Sequence, residues 1–567
     1  MVTIEEVRKH NSKKDCWVII HNKVYDVTDF IDDHPGGAAI ILKYAGKDAT
    51  KVFDPVHPGD TLDRYLKKEH HLGPVERPAK LSKQATVPKP VQQQPAQALQ
   101  PAADANVVDE FDVEYDEQDD KAPTLGLGAV APQASTGSST PATTEGTENE
   151  DEYDDDDEDD PPTEEELARK ERVKNMPDIG QIYNLNDFEF VARHTMEKTA
   201  WAYYSSGCDD EITLRENHLA YHRIFFKPRV LVDVTDIDIS TTMLGTKLSA
   251  PFYITATALG RLGHDDGEKV LTRAADKQDI IQMIPTLASY SFDEIVDQAT
   301  DKQTQWFQLY VNKDRQICQE LVEHAEKRGI KGLFITVDAP QLGRREKDMR
   351  SKGFEDLSHI QGDGDGVDRS QGAARAISSF IDTSLNWNDI AWFRSITKMP
   401  IILKGIQSVD DALKAVEYGV EGIVISNHGG RQLEFARPSL EVLIELMPIL
   451  REKNLQDKIE VYIDGGIRRA TDILKAIALG AKGVGLGRPF LYAMSTYGDA
   501  GVFKAIQILK DEMIMNMRLL GVTRLDQLDQ SFIDTRTHAN RYVAEDRLFG
   551  NVYEPLKAPS FTVPNKL

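Results

Sequence analysis

Eight short, apolar, β-rich runs recur along residues 172–567, at 252–254, 280–284, 305–310, 332–337, 401–404, 422–426, 461–464 and 483–487. Stretches with helical spacing separate them, such as Asp410-Ala412-Leu413-Ala415-Val416 and Asp472-Ile473-Lys475-Ala476-Ile477. Gly419 and Gly480 stand where a helix end needs left-handed backbone. Eight alternating units are what a closed (β/α)8 TIM barrel requires, so one large barrel domain over 172–567 is expected. The Gly/Asp-rich stretch 353–372 lacks any pattern and is expected to be a mobile loop over the barrel mouth.

In such barrels chemistry gathers at the carboxyl ends of the strands. The run 422–425 leads into Ser426-Asn427-His428-Gly429-Gly430-Arg431. An arginine fork grips a carboxylate in two places, and a histidine beside it can take a proton at neutral pH. A polar turn whose histidine only caps backbone groups fits this hexapeptide equally well. Other strand ends add to it. Lys404 is placed to stabilise negative charge growing on a ring, unless it is a solvated cap. Asp338, after Thr336-Val337, is placed to hold the His428 imidazole. Gln308 and Tyr310 offer hydrogen bonds to a ring and to a hydroxyl, although Gln308 also suits a satisfied core amide. The last two runs end in Asp464-Gly465-Gly466-Ile467-Arg468 and Gly485-Leu486-Gly487-Arg488, two consecutive glycine-arginine loops where barrels often bind phosphate.

Residues 1–75 form a separate small α+β unit. A hairpin about His21-Asn22 is followed by Phe30-Ile31-Asp32-Asp33-His34-Pro35-Gly36-Gly37, and His57 lies in a second turn-rich loop. Two histidines on separate loops, with Ile40, Ile41, Leu42 and Phe53 between, can clamp a haem iron from both faces; the alternative is that both merely make turns. Residues 76–171 change character, from a Pro/Gln/Ala-rich start to an acidic tract ending in Asp154-Asp155-Asp156-Asp157-Glu158-Asp159-Asp160. Such a segment cannot bury enough apolar surface to fold, so a disordered acidic linker is expected. A flexible tether of about 100 residues would reach roughly 50–60 Å. The acids can also be read as steering a basic partner protein, with a plain solvated linker the simpler account.

The 567 residues carry a formal charge of −26, which disfavours nucleic acid and anionic membrane as partners. Cys16, Cys208 and Cys318 are scattered, against a disulfide framework or a cysteine metal site. No run is long enough to span a bilayer. The start lacks the pattern of a targeting peptide, and Pro564-Asn565-Lys566-Leu567 is one residue away from a peroxisomal Ser-Lys-Leu address. A cytoplasmic or peroxisomal location is therefore expected from the chain itself.

Two resemblances sharpen this reading. Tyr25-Asp26-Val27-Thr28, His34-Pro35-Gly36-Gly37 and His57 resemble the cytochrome b5 family, which implies haem b with His34 and His57 as axial ligands and no open iron site. Tyr203-Tyr204-Ser205-Ser206-Gly207, Thr255-Ala256-Thr257-Ala258, Gln308-Leu309-Tyr310, Thr336-Val337-Asp338-Ala339-Pro340, Ser426 to Arg431 and Asp464 to Arg468 resemble the FMN-dependent α-hydroxy-acid dehydrogenases. Joined in one chain, the two units are similar to the flavocytochrome b2 family of L-lactate:cytochrome c oxidoreductases. The resemblance implies His428 as the base, oriented by Asp338, with Arg345, Arg431 and Tyr203 on the substrate carboxylate and Tyr310 on its hydroxyl. It implies FMN held by Thr255, Ala256, Thr257, Ala258, Gln308, Thr336 and Lys404, with its phosphate at Asp464, Gly465, Gly466, Ile467, Arg468, Gly487 and Arg488. Ala258 and Leu287 would border a small substrate side chain, as in L-lactate. Electrons would pass singly through the haem to cytochrome c or a similar acceptor. The resemblance also implies a homotetramer, and points to the mitochondrial intermembrane space instead. Pro285 stands where relatives can have a serine bonded to the flavin, so that contact is not carried over. An oxidase passing electrons to oxygen, and an electron carrier with an idle barrel, are the competing readings.

Overall fold

The computed structural model describes residues 2–31, 34, 38–54, 57, 61–62, 66–76, 163–351 and 381–540. The loop expected at 353–372 and most of the expected linker lie outside these residues.

In the first unit, strands Asp15–Ile20 and Lys23–Asp26 pair antiparallel about His21 (φ 50) and Asn22 (φ 59), the doubly left-handed turn that matches strand twist. His71–Glu76 joins the other side of Lys23–Asp26, and the sheet is completed by Val2–Thr3 and Asn11–Ser12 at its edges. Val18, Ile20, Tyr25, Ile31 and Phe53 pack on one side as its core.

The barrel closes as expected. Its strands are Phe252–Ile254, Gln282–Ile284, Gln305–Leu309, Leu333–Thr336, Ile401–Ile406, Gly422–Ile425, Glu460–Asp464 and Gly483–Leu486. Each is parallel to the next, and the eighth returns to the first. Tyr253, Trp306, Phe334 and Tyr462 fill the lumen. A hairpin, Thr241–Met243 with Thr246–Leu248, plugs the amino-terminal end: Met243 joins the lumen cluster and the Leu244 N–H donates to Glu460. The carboxyl-terminal end stays open for chemistry.

Two differences from the sequence reading have local causes. The fifth strand runs past Lys404 to Ile406 through a bulge at Gly405. There φ is 115, and a Cβ would lie 2.5 Å from the Asp338 Cβ, so only glycine lets Asp338 in. The expected disordered linker also ends too late. Glu164–Lys174 is a helix, opened by a capping box between Thr163 and Glu166. Arg169 and Arg172 donate to the Thr195 and His194 carbonyls and pin it to the barrel unit. The charge run hid a capping signature that was present locally.

Candidate active site at the open end of the barrel

The strand ends line a cavity that is open to solvent at its mouth. Its lining brings together Tyr203, Thr255 to Ala258, Gln308, Tyr310, Arg345, Lys404, His428, Arg431, Asp464 to Arg468, Gly487 and Arg488. Two residues named from the sequence stand behind this lining. Thr336 accepts from the Gln308 amide nitrogen at 2.8 Å, and so orients Gln308. Asp338 lies behind His428, its side chain fully buried.

His428 follows the sixth strand with φ 59. A bulky residue in that region is strained and is held there by its neighbours. The Ser426 hydroxyl accepts its backbone N–H at 3.0 Å. Its Nδ1 donates to Asp338 Oδ1 at 3.1 Å, which leaves Nε2 as the acceptor, 3.0 Å from the Tyr310 hydroxyl. Burial would push the Asp338 carboxyl up, but the His428 imidazole and the Lys404 ammonium outweigh it and hold the group below the usual carboxylate range. Burial also raises the Tyr310 phenol, with the Asp338 charge adding to it. The phenol is thus a firm donor.

Lys404 is buried, 3.2 Å from Asp464 Oδ2 and 3.3 Å from Ser426 Oγ. Burial disfavours its charge, yet Asp464 and Asp338 more than compensate and raise its pKa. Asp464 therefore balances the lysine, while its Oδ1 is buried without a partner. The arginines divide into two kinds. Arg431 Nη1 donates to the Tyr203 and Ser206 carbonyls. Arg488 donates from Nε, Nη1 and Nη2 to the Tyr204, Gly429 and Ser206 carbonyls. Arg468 pairs with Glu189 at 3.0 Å. Arg345 differs: its Nε and Nη2 are buried with no hydrogen-bond partner, and its guanidinium stands 5.4 Å from the Tyr203 ring centre. An orphaned buried guanidinium is costly unless an anion completes it.

A ring cofactor with a phosphate fits this donor set. Orphaned polar atoms at Thr255 Oγ1, Asp464 Oδ1 and Arg345 face a cavity with backbone donors at Gly465, Gly466 and Gly487. A helix, Arg488–Leu520, begins at this end of the barrel, where its amino terminus favours an anion. Pro285 lines the wall and offers neither a hydroxyl nor an N–H.

In the first unit the His34 and His57 rings stand 5.9 Å apart, centre to centre. An iron about 2 Å from a nitrogen of each ring needs roughly that spacing. The His57 Nδ1 donates to the Phe53 carbonyl at 3.1 Å, which presents Nε2 as the ligand. Burial lowers its pKa and favours the neutral, metal-binding form. Arg261, past the first barrel strand, reaches this unit: its guanidinium donates to the Asp54 carbonyl at 2.7 Å, three residues from His57.

Sequence reasoning missed several supports. Asn217 and Asn427 exchange two amide hydrogen bonds, each 2.8 Å, and fix the loop before His428. Gln432 donates to the Asp338 and Gln341 carbonyls. No sequence signal marks either, since the partners lie far apart along the chain.

A parallel barrel with a base, a lysine and a phosphate-ready end, following a two-histidine unit, defines a class: flavin-dependent dehydrogenases with an attached haem domain. Residues 192–535 match the family model described as FMN-dependent dehydrogenase, and residues 3–76 match the cytochrome b5-like haem/steroid-binding domain. The chain belongs to the FMN-dependent dehydrogenase family, with a cytochrome b5-like domain ahead of the barrel. Its relatives include the L-lactate dehydrogenase (cytochrome) of Wickerhamomyces anomalus, 50% identical over 99% of this chain and 85% of that protein. That of Saccharomyces cerevisiae is 47% identical over 97% of this chain and 82% of its own length. The flavin-binding domain of baker's yeast flavocytochrome b2 superposes with a TM-score of 0.63 at 52% identity, covering 72% of this chain and all of that one. Membership makes FMN the cofactor of the barrel and haem that of the first unit. Among the described residues no helix is long and apolar enough to cross a membrane.

Proposed function

We propose that the chain oxidises L-lactate to pyruvate and delivers the electrons through haem b to a cytochrome c-type acceptor. The reading is carried by one observation: a histidine whose Nε2 accepts, backed by a buried carboxylate at 3.1 Å, shares a cavity with an unpartnered guanidinium. FMN supplies the two-electron oxidant for the hydroxyl-bearing carbon, and the haem relays single electrons outward.

The substrate carboxylate completes Arg345, with Arg431 and Tyr203 beside it. That places the adjacent hydroxyl near Tyr310 and His428. His428 Nε2 takes the proton that leaves the substrate, and Asp338 stabilises the imidazolium so formed. Lys404, held charged by Asp464 and Asp338, would supply the positive charge that favours a reduced, anionic ring. Arg468, Gly487 and Arg488 would hold the cofactor phosphate, and Gln308, oriented by Thr336, would bond its ring. His34 and His57 would hold the haem iron, which would then exchange single electrons.

The proposed assembly is a homotetramer. Val230, Leu231, Leu433 and Phe435 are exposed in the single chain, apolar area that further copies would cover. Light scattering of the purified protein reads the mass directly.

Anaerobic addition of L-lactate to purified holoenzyme tests the function. The flavin band should bleach, the reduced haem band should rise, and added cytochrome c should then be reduced. A flavin untouched by L-lactate would refute it. Stoichiometric peroxide in air, with the haem left oxidised, would make the protein an oxidase.

A further inference from the structure

Ala258 and Leu287 stand on the loops after the first and second barrel strands, and the two loops are bonded to each other. The Leu259 N–H donates to the Leu287 carbonyl at 3.2 Å. Leu259 has φ 58, a left-handed conformation that is strained for a leucine. Such backbone persists only where its surroundings over-determine it.

The surroundings here are two buried polar groups with no place in the chemistry proposed above. Glu268, in the first turn of helix Glu268–Gln278, is fully buried. Its Oε1 accepts from the Gly260 N–H at 2.7 Å and the Ser289 N–H at 3.0 Å. One oxygen therefore grips the residue after Leu259 on one loop and the second residue after Leu287 on the other. Gly260 has no side chain because a Cβ would lie 2.8 Å from the carboxylate carbon. From helix Lys198–Ser205, the Tyr204 hydroxyl donates to the Leu259 carbonyl at 2.7 Å. The strained peptide is thus held at its amide neighbour by an acid and at its carbonyl by a phenol. Glu268 Oε2 has no partner. A buried acid with an idle oxygen is an expensive way to cap two loops unless their placement matters.

We infer that Glu268 is a positioning residue for substrate selection. Its carboxylate pins the loops of Ala258 and Leu287 together, and so keeps the cavity wall closed against 2-hydroxy acids with side chains longer than methyl. This rests on the reading of the cavity as a 2-hydroxy-acid site.

The measurement is the ratio of kcat/KM for L-lactate to that for L-2-hydroxypentanoate, on holoenzyme with both cofactors. One methylene in an apolar pocket is worth about tenfold or more in discrimination. Glu268→Ala should lower the ratio about tenfold, chiefly through the KM of the longer acid, while the flavin spectrum stays intact. Glu268→Gln keeps an accepting Oε1 and should stay within about twofold of the parent ratio, a rescue that side-chain volume alone would not predict. If Glu268→Ala does not fold, Tyr204→Phe removes the opposing hold on Leu259 and should shift the ratio in the same direction. An unchanged ratio in the folded loosening variant overturns the inference, as does a Glu268→Gln enzyme as permissive as Glu268→Ala. Failure of the parent enzyme to bleach its flavin with L-lactate would strike the underlying reading instead.

Discussion

The Tyr310 hydroxyl lies 3.0 Å from His428 Nε2, across the imidazole from Asp338. Phenol, imidazole and carboxylate form a line in which each hydrogen has one acceptor. The imidazole at its centre and the phenol at its end do different work. Losing His428 removes the proton acceptor, whereas losing the phenol removes one hydrogen bond. His428→Gln should therefore keep both cofactors and lose turnover by at least about 10²-fold. Tyr310→Phe gives up about 0.5–1.5 kcal/mol, roughly a two- to twelve-fold loss in the rate of flavin reduction. Stopped-flow reduction by L-lactate separates the two. Equal losses in both variants would contradict a single base.

Arg345 predicts a conflict between stability and function. Its Nε and Nη2 are buried and without a protein partner, so these two donors carry a desolvation cost that an anion would relieve. Arg345→Met has similar reach without that cost. The variant should melt higher than the parent in the absence of substrate, by an amount on the order of 1 kcal/mol. Its KM for L-lactate should rise by about tenfold or more, because charge-assisted bonds to a carboxylate are lost. Thermal denaturation and steady-state kinetics on the same preparation check both halves. A variant both weaker-binding and less stable would show that Arg345 has an internal partner.

Much of this site was legible along the chain because each barrel strand presents its end to the same mouth. His428, Arg431, Lys404, Asp338 and Tyr310 could be assigned to one place once eight runs were counted. What stayed hidden are the contacts that only packing creates. Asn217 meets Asn427 across 210 positions, and Glu268 joins Gly260 to Ser289 through a buried oxygen. Neither polar residue differs, in sequence, from one on a solvated helix face. Thr336 shares the inward face of its strand with Phe334 and accepts from the Gln308 amide nitrogen, a support that only the packed barrel reveals. The helix Glu164–Lys174 was lost to an argument from charge, although Thr163 and Glu166 had the spacing of a capping box.

The bond from Arg261 to the Asp54 carbonyl links the barrel to the turn preceding His57, a proposed haem ligand. Arg261 does not line the cavity, so its side chain should matter for electron relay and not for substrate oxidation. A hydrogen bond to a charged group is worth about 1.5–3 kcal/mol, so Arg261→Ala should slow flavin-to-haem transfer about tenfold or more. Flavin reduction by L-lactate should be unchanged. Stopped-flow traces at flavin and haem wavelengths read the two steps separately. Unaltered haem reduction would mean that the contact does not set the docked geometry.

Glu268 also makes stability depend on pH. Burial raises its pKa above the ordinary 4.5, against the pull of the Gly260 and Ser289 N–H groups. The folded chain therefore keeps this proton to a higher pH than the unfolded chain does. Its stabilising contribution is complete below about pH 4.5 and is lost as pH rises through the folded value. Within that window the slope from this one group is at most about 1.4 kcal/mol per pH unit. Glu268→Gln cannot titrate and should remove the slope, so its melting temperature should gain on the parent as pH rises from 5 to 8. Other carboxylates titrate alike in both proteins and cancel in the difference. A difference in melting temperature that stays flat over that range would mean that Glu268 titrates as it does in the unfolded chain. Its buried oxygens would then be solvated by something other than the two N–H groups that hold it.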